Sequence, residues 1–136
     1  MAHSPLDINI QKQVNILISD MGFPVERIVA YPTTGGLGYG FEYAYSIMER
    51  ARLAALQGDK MMATPILAVI GAETWKAKEA IASEETAPHW GPQAERSIAW
   101  EANTAVTFLQ AGVDILVMRH PQAIASVRQT IDSLMA

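Results

Sequence analysis

The sequence predicts an α/β fold in which about three parallel strands alternate with helices. Three short, mostly apolar segments, at residues 27–31, 65–70 and 113–118, are separated by segments whose apolar residues recur at helical spacing. Strands that alternate with helices in this way favour right-handed crossovers, which make the strands parallel. Three strands cannot close a barrel by themselves, and helices are expected on their flanks.

The first predicted helix spans residues 6–20, and residues 1–5 before it look like a frayed start. Its apolar residues recur at helical spacing and predict the buried face: Leu6, Ile10, Val14, Leu17 and Met21. Gly22 and Pro24 follow, and they suit a left-handed cap and a residue that cannot continue a helix. The first strand, at residues 27–31, comes next.

A second helix is predicted between a glycine-rich segment and Gly58. Glu42 lies in its first turn, where a carboxylate interacts favourably with the positive end of the helix dipole. The predicted buried residues are Ile47, Ala51, Ala54 and Ala55, and the predicted solvated ones are Glu49, Arg50 and Arg52. The next strand, residues 65–70, is apolar throughout, which is typical of a central parallel strand covered on both sides.

The second half of the chain is predicted to contain three helices around the last strand. A shorter helix over residues 73–82 is followed by a polar connection, and Pro92 suits the first position of a long helix that ends before Gly112. The long helix carries its predicted buried face at Ile98, Ala102, Ala105 and Leu109. The last helix follows residues 119–121 and carries its own at Ile124, Val127, Ile131 and Leu134.

Composition narrows the possible classes of function. The chain has 136 residues, half of them hydrophobic, so we expect a single domain over residues 1–136. The net charge of −4 and the lack of a long basic run argue against nucleic acid and anionic membrane as partners. Because cysteine is absent, the chain itself cannot hold an iron–sulfur cluster or a disulfide. We expect a cytoplasmic location, since no apolar run approaches the length of a membrane span.

The most informative segment is the loop at residues 31–40, Tyr-Pro-Thr-Thr-Gly-Gly-Leu-Gly-Tyr-Gly, which connects the first strand to the second helix. It holds four of the nine glycines, and all four tyrosines of the chain lie in or beside it. The glycine spacing fits neither dinucleotide nor phosphate-binding loops. Glycine allows a ligand to approach bare backbone, so the loop suits a large planar ligand with amides at its edge. The alternative is a tight turn that needs glycine for its geometry alone.

Several segments resemble the small (delta) subunit of the corrinoid iron–sulfur protein, which is also the delta subunit of the acetyl-CoA decarbonylase/synthase complex. As they stand here, they read PTTGGLGYGFEY, MER, RLAAL, GDK, ETWKAKE, WGP, WEA and ILVMRHP. Together they cover nearly the whole chain. Members of that family are longer, and the resemblance is to their C-terminal part.

The resemblance implies a (β/α)8 TIM barrel of the pterin-binding type, of which this chain would supply the last three strand–helix units. In such barrels function resides on the loops after the strands, here residues 32–41, 71–76 and 119–121. The implied cofactor is a corrinoid (cobalamin) held mainly by a large partner subunit that carries the iron–sulfur cluster. The implied role is to help carry a methyl group from methyltetrahydrofolate to acetyl-CoA synthase in the reductive acetyl-CoA pathway, the carbon-fixation route of anaerobes.

The expected cofactor-binding residues lie on these three loops. They are Thr33, Thr34, Gly35, Gly36, Leu37, Gly38, Tyr39, Gly40, Glu73 and His120. No catalytic residue and no metal ligand are expected, because the histidine signature of cobalt-ligating corrinoid proteins is absent, and His3 and His89 are expected to be solvated. For Glu73, Trp75 and Lys76, a purely structural role at the start of a helix is the alternative. For His120, the alternative is a position at the start of the last helix with its ring half exposed.

Two other functions remain open. One is a pterin-binding methyltransferase half-barrel, although the sequence lacks an Asp/Asn pair at the strand ends. The other is a structural module that only packs against a partner. In each case three strands leave open sheet edges, so an isolated chain is expected to associate with itself or with a partner.

Overall fold

The computed structural model describes residues 1–35 and 37–136 and confirms the α/β class. Its strands form two small parallel sheets that do not close within this described part, so the barrel itself stays a prediction. The strands are β1 (Ala2–Ser4), β2 (Ala30–Pro32), β3 (Leu67–Val69) and β4 (Ile115–Val117). The helices are α1 (Ile8–Asp20), α2 (Phe41–Leu56), α3 (Ile70–Thr74), α4 (Lys78–Ile81), α5 (Gln93–Gln110) and α6 (Pro121–Met135). Short 3₁₀ turns lie at Val25–Arg27, Leu37–Tyr39 and Pro88–Trp90.

The strands follow one another in chain order. β1 pairs with β2, an isolated parallel bridge joins Ala30 to Ile66, and β3 pairs with β4. The expectation of a frayed start was wrong, because β1 brings the described strands to four rather than three. Ala2 and Ser4 are small enough to be buried against the sheet, whereas His3 between them faces solvent.

The chain divides into two compact units. The first contains Met1–Ala68 and Phe108–Leu116, and the second contains Val69–Thr107 and Val117–Ala136. The single domain over residues 1–136 stays a prediction.

Helix α2 supplies much of the core of the first unit through Ala44, Ile47, Met48 and Ala51. Arg52, which was expected to be solvated, instead donates to the carbonyl oxygen of Gly112 through Nε (3.1 Å) and through a second nitrogen. The same guanidinium pairs with Asp114, whose carboxylate also accepts the backbone N–H of Ile66 at 2.8 Å. Arg52 therefore connects α2 to the residues that precede β4.

Helix α1 buries polar side chains in the first unit. Asp7 caps it by accepting the backbone N–H groups of residues 9 and 10. The Ser4 hydroxyl donates to Gln11 Oε1 at 2.6 Å, and Gln11 in turn donates to Asn15 Oδ1 at 3.1 Å. Asn15 then donates to the carbonyl oxygen of Met61 at 2.8 Å. This chain of amides fixes α1 against β1 and the segment before β3.

The apolar face of α1 therefore points outward. Ile10 is 43% exposed, Leu17 61% and Met21 88%. The sequence assigned this face to the core, and that prediction was wrong because the buried amides occupy the inner side of the helix. Spacings of four, three and four residues through Val14 make the face a narrow seam of the kind that packs against a second helix.

In the second unit, the predicted helix over residues 73–82 is two short helices, α3 and α4. They are separated at Ala77, whose backbone is extended (φ −63°, ψ 140°). Carbonyl groups of α4 accept hydrogen bonds from side chains of α5 instead of from the N–H groups of a longer helix. The Ser97 hydroxyl donates to the carbonyl oxygen of Ala80 at 2.7 Å, and Arg96 Nε donates to that of Glu79 at 2.5 Å.

The buried face of α5 is displaced by one residue from the predicted face at its first two positions. Within the second unit it consists of Ser97, Glu101 and Ala105, whereas Ile98 and Ala102 are half-buried. Ala105 was the only member predicted correctly in this unit, because a polar serine and a carboxylate occupy the other inner positions. On α6, Val127 is buried as predicted, but Leu134 is 71% exposed.

Candidate functional site

The glycine-rich loop lies in the first unit and is anchored at its start. The backbone N–H of Thr33 donates to the carbonyl oxygen of Ser4 at 2.9 Å, and the Thr33 hydroxyl accepts the N–H of Gly35 at 3.3 Å. Thr34 is buried, so it belongs to the support of the loop, and Leu37 is half-buried. Gly36 lies outside the described residues.

The described glycines of this loop have different reasons to be glycine. Gly40 has φ 137°, and an added Cβ would collide with the Glu42 carboxyl group, so the entry into α2 requires glycine here. Gly35 and Gly38 do not have positive φ. A Cβ at Gly38 would meet nothing within 4 Å, and one at Gly35 would make an ordinary contact of 3.4 Å with Thr33. Local geometry thus explains Gly40 but not Gly35 or Gly38.

Exposed aromatic side chains surround this loop. Tyr39 is 86% exposed, and Tyr43 and Tyr45 on α2 are also exposed. Tyr45 donates to Glu49 Oε1 at 3.0 Å, and this hydrogen bond, together with the negative charge of the carboxylate, raises the pKa of Tyr45. Tyr31 stacks on His3 with ring centroids 4.9 Å apart.

The second unit contains a cluster around a buried carboxylate. Glu101 on α5 is fully buried and accepts the indole N–H of Trp75 at 2.6 Å. It also accepts the backbone N–H of Arg119, and that of His120 at 3.1 Å. One carboxylate therefore joins the segment after α3 to the end of β4.

His120, the predicted site residue at the end of β4, is half-buried and caps α6. Its Nδ1 accepts the backbone N–H of Gln122 at 3.2 Å. The imidazole stacks on Trp75 with centroids 5.8 Å apart and an interplanar angle of 20°. The Arg119 guanidinium carbon also lies over the Trp75 ring, 4.9 Å from its centroid.

Glu73, the other predicted site residue of this unit, forms an ion pair with Lys76 at 3.1 Å, three residues along the chain. The structure thus brings Trp75 and His120 together, whereas Glu73 has a local partner, as the structural alternative for that residue expects. Trp75 combines packing with a hydrogen bond. The shared rim that the sequence predicts for the glycine-rich loop, Glu73 and His120 stays a prediction, because they belong to different units.

Sequence reasoning missed Glu101 and Arg119 as parts of this cluster. Glu101 lies in the middle of a long helix, where a lone carboxylate is normally solvated. Arg119 was noted only as part of a turn. The signal that could have located the cluster was the presence of Trp75 and of the sequence Arg119-His120 on the connections that follow two successive strands.

A known protein family matches nearly the whole chain. The family model described as CO dehydrogenase/acetyl-CoA synthase delta subunit matches residues 1–133. The chain belongs to this delta-subunit family. The assignment made from sequence resemblance is therefore confirmed.

The chain is similar to curated delta subunits of several organisms. Delta subunit 1 of the acetyl-CoA decarbonylase/synthase complex of Methanosarcina thermophila is 37% identical over 98% of the chain, which covers 31% of that relative. The delta subunit of Archaeoglobus fulgidus is 38% identical over 98% of the chain, with 30% of the relative covered. That of Methanopyrus kandleri is 39% identical over 97% of the chain, with 32% covered. The chain thus spans under a third of the length of these relatives, which are subunits of a larger complex.

Residues 1–35 and 37–136 lack the features of two other kinds of site. No group of three or more His, Cys, Asp or Glu side chains in this part of the chain could hold a metal ion. None of its helices combines the length and apolarity that crossing a membrane requires.

Proposed function

We propose that this delta-subunit chain contacts a corrinoid, cobalamin or a relative of it, that it shares with a large corrinoid/iron–sulfur partner subunit. In this role it helps carry a methyl group from methyltetrahydrofolate to acetyl-CoA synthase in the reductive acetyl-CoA pathway. The cofactor supplies the methyl-transfer chemistry when bound, and the chain supplies shielding and orientation without a catalytic acid or base. The methyltransferase and acetyl-CoA synthase are transient partners.

The observation that carries this proposal is the pair of exposed glycines, Gly35 and Gly38. Neither needs glycine for its backbone conformation, and a side chain at Gly38 would project into open space. Glycine at such positions leaves flat backbone that the face of a ring can approach closely. Thr33 adds a hydroxyl group beside this surface, and the exposed Tyr39 ring is the amphipathic type of side chain that packs on large planar ligands. The residues therefore fit the group.

His120 is assigned to contact with the corrinoid rather than to ligation of cobalt. Its Nδ1 already accepts the N–H of Gln122, and its ring stacks on Trp75. A ring nitrogen that bound cobalt would have to give up this arrangement. In a folded and assembled His120→Ala variant we therefore expect the cobalt spectrum of the parent, and a change in the ligand-field bands would contradict the assignment.

The experiment that tests the proposed contact adds a branched side chain to the loop. In the complex with the large subunit, Gly38→Val should weaken corrinoid binding about tenfold or more, equivalent to 1.4 kcal/mol or more, because the side chain holds the ring off the backbone. Absorbance titration measures the affinity, and the thermal midpoint reports folding. Ala63→Val, at an exposed position of the same unit, is the matched control and should bind as the parent does. Unchanged affinity in a folded Gly38→Val complex would overturn the proposal.

A further inference from the structure

Arg119, two residues after the end of β4, is held by residues from several elements of the second unit. Gly71 in α3 lies so close to Arg119 that a Cβ added to Gly71 would be 2.7 Å from the backbone nitrogen of Arg119 and 2.8 Å from the Arg119 Cβ. Such contacts do not occur, so this approach of α3 to the end of β4 requires glycine. Glu101 accepts the Arg119 backbone N–H, and Trp75 lies under the guanidinium group at 4.9 Å.

The guanidinium itself is free to bind something else. Arg96 donates hydrogen bonds to the carbonyl oxygens of Glu79 and Gly91. Arg52 donates to the carbonyl oxygen of Gly112 and forms an ion pair with Asp114. Within residues 1–35 and 37–136, the Arg119 guanidinium forms no hydrogen bond or ion pair beyond its contact with Trp75, and the residue is exposed. A buried carboxylate, a required glycine and a tryptophan thus fix an arginine whose donors face solvent.

We propose that Arg119 is a binding residue that donates hydrogen bonds to carbonyl oxygens at the edge of the corrin ring. The inference rests on the proposed function, and it adds the group on the ligand that this residue recognises. The corrin periphery carries amide side chains, whose oxygens are acceptors. A guanidinium group presents planar, paired N–H donors that suit such oxygens, and its hydrogen bonds are charge-assisted. The contact with Trp75 restricts the position of the guanidinium group before binding, which reduces the entropy lost when the ligand is bound.

Gly71, Trp75 and Glu101 are positioning residues in this account, since they act on the ligand through Arg119. Parallel strands of α/β proteins place ligands at their carboxyl ends, and Arg119 lies two residues after the end of β4. This location agrees with the assignment.

The test compares arginine variants in the chain assembled with the large corrinoid subunit. Arg119→Met keeps the length of the side chain and the backbone hydrogen bond to Glu101 but removes every side-chain donor. Its corrinoid affinity should fall about ten- to a hundredfold, the range expected when charged hydrogen bonds are lost. Arg119→Lys keeps the charge without the planar fork and should restore only part of this loss. Arg128→Met removes the same charge from an exposed position on α6 and should bind as the parent does.

Two corrinoids distinguish the acceptor. Cobalamin carries a nucleotide tail with a phosphodiester, whereas dicyanocobinamide lacks the tail but keeps the amides of the ring. The loss in Arg119→Met should be the same with both. A loss confined to cobalamin would assign Arg119 to the phosphodiester and overturn the proposal, as would parent-like affinity of a folded Arg119→Met complex. If the parent chain does not change the binding of either corrinoid to the large subunit, the proposed function itself fails. If the parent chain changes this binding and Arg119→Met changes it equally, only the proposal for Arg119 fails.

Discussion

The indole N–H of Trp75 donates to the carboxylate of Glu101 across 2.6 Å, and Glu101 is fully buried. Buried carboxylates are costly unless hydrogen bonds or a cation compensate them. Among the described residues no ion pair involves Glu101, so its compensation consists of N–H groups, from Trp75 and from the backbone of Arg119 and His120. The carboxylate thereby sets the position of both side chains that stack on the indole ring.

Glu101→Gln should destabilise the chain by about 1 to 3 kcal/mol, because an amide cannot accept all of these donors and one N–H is left opposed or unsatisfied. Urea unfolding followed by tryptophan fluorescence measures the change. Glu95→Gln, at an exposed position of the same helix, is the control and should shift the free energy of unfolding by less than about 0.5 kcal/mol. Equal stability of the two variants would show that the buried carboxylate does not organise this cluster.

The sequence located most helices and strands but often not the face that each helix buries. Periodicity was sufficient to find α1 and α5, since their apolar residues recur at helical spacing. It failed on the inner faces because Gln11, Asn15 and Glu101 are buried through hydrogen bonds that only tertiary structure supplies. Polar residues of this kind read as surface in any analysis of hydrophobicity. The break between α3 and α4 was missed for the same reason, because its partners come from α5.

The candidate site was predictable where local chemistry dominates. The glycine-rich loop and His120 stand out by composition and by their place after strands. Arg119 does not, because its significance depends on Gly71 and Glu101, which are distant in sequence. No spacing rule connects these positions.

The outward seam of α1 predicts association of the isolated chain. Leu17→Glu should shift the chain towards monomer and reduce binding of a hydrophobic dye, since it places a charge in the middle of an exposed apolar face. Sedimentation at micromolar concentration measures the change. Gln13→Glu adds the same charge at an exposed position of α1 outside the seam and should leave association unchanged. A parent chain that is monomeric and binds no dye would refute this role of the seam.

Gly40, which has a positive φ, and Gly38, which does not, should differ in how substitution by alanine changes the stability of the chain. Gly40→Ala should destabilise the chain by roughly 1 to 3 kcal/mol, because φ 137° is strained for any residue with a side chain. Gly38→Ala meets neither strain nor a close neighbour, so it should be neutral or slightly stabilising. Thermal unfolding of the two variants makes the comparison. If both cost the same, the loop would need glycine for geometry throughout, which is the alternative to ligand contact.

The ion pair between Lys12 and Asp59 predicts a dependence of stability on pH. The hydrogen bond from Lys12, at 2.5 Å, lowers the pKa of Asp59 in the folded chain. A lowered carboxyl pKa stabilises the fold above the unfolded value, about 3.9, and this contribution is lost as pH falls through the lower folded value. The stability difference between the parent and Asp59→Asn should therefore shrink below about pH 4. The difference is small because Lys12 is 45% exposed. When Lys12 is replaced by Met, the effect of Asp59→Asn on stability should depend less on pH. An unchanged pH dependence would assign the lowered pKa of Asp59 to another cause.

The most direct measurement of the central claim is difference absorbance of the chain, assembled with the large subunit, on addition of a corrinoid, of a pterin, or of buffer alone. Contact with the corrin ring predicts a shift of the corrinoid bands that requires this chain and is reduced in Gly38→Val. It predicts no change in pterin absorbance that depends on the chain. A response to pterin alone would indicate a methyltransferase half-barrel, and no response to either ligand would indicate a structural module; each result would contradict the account.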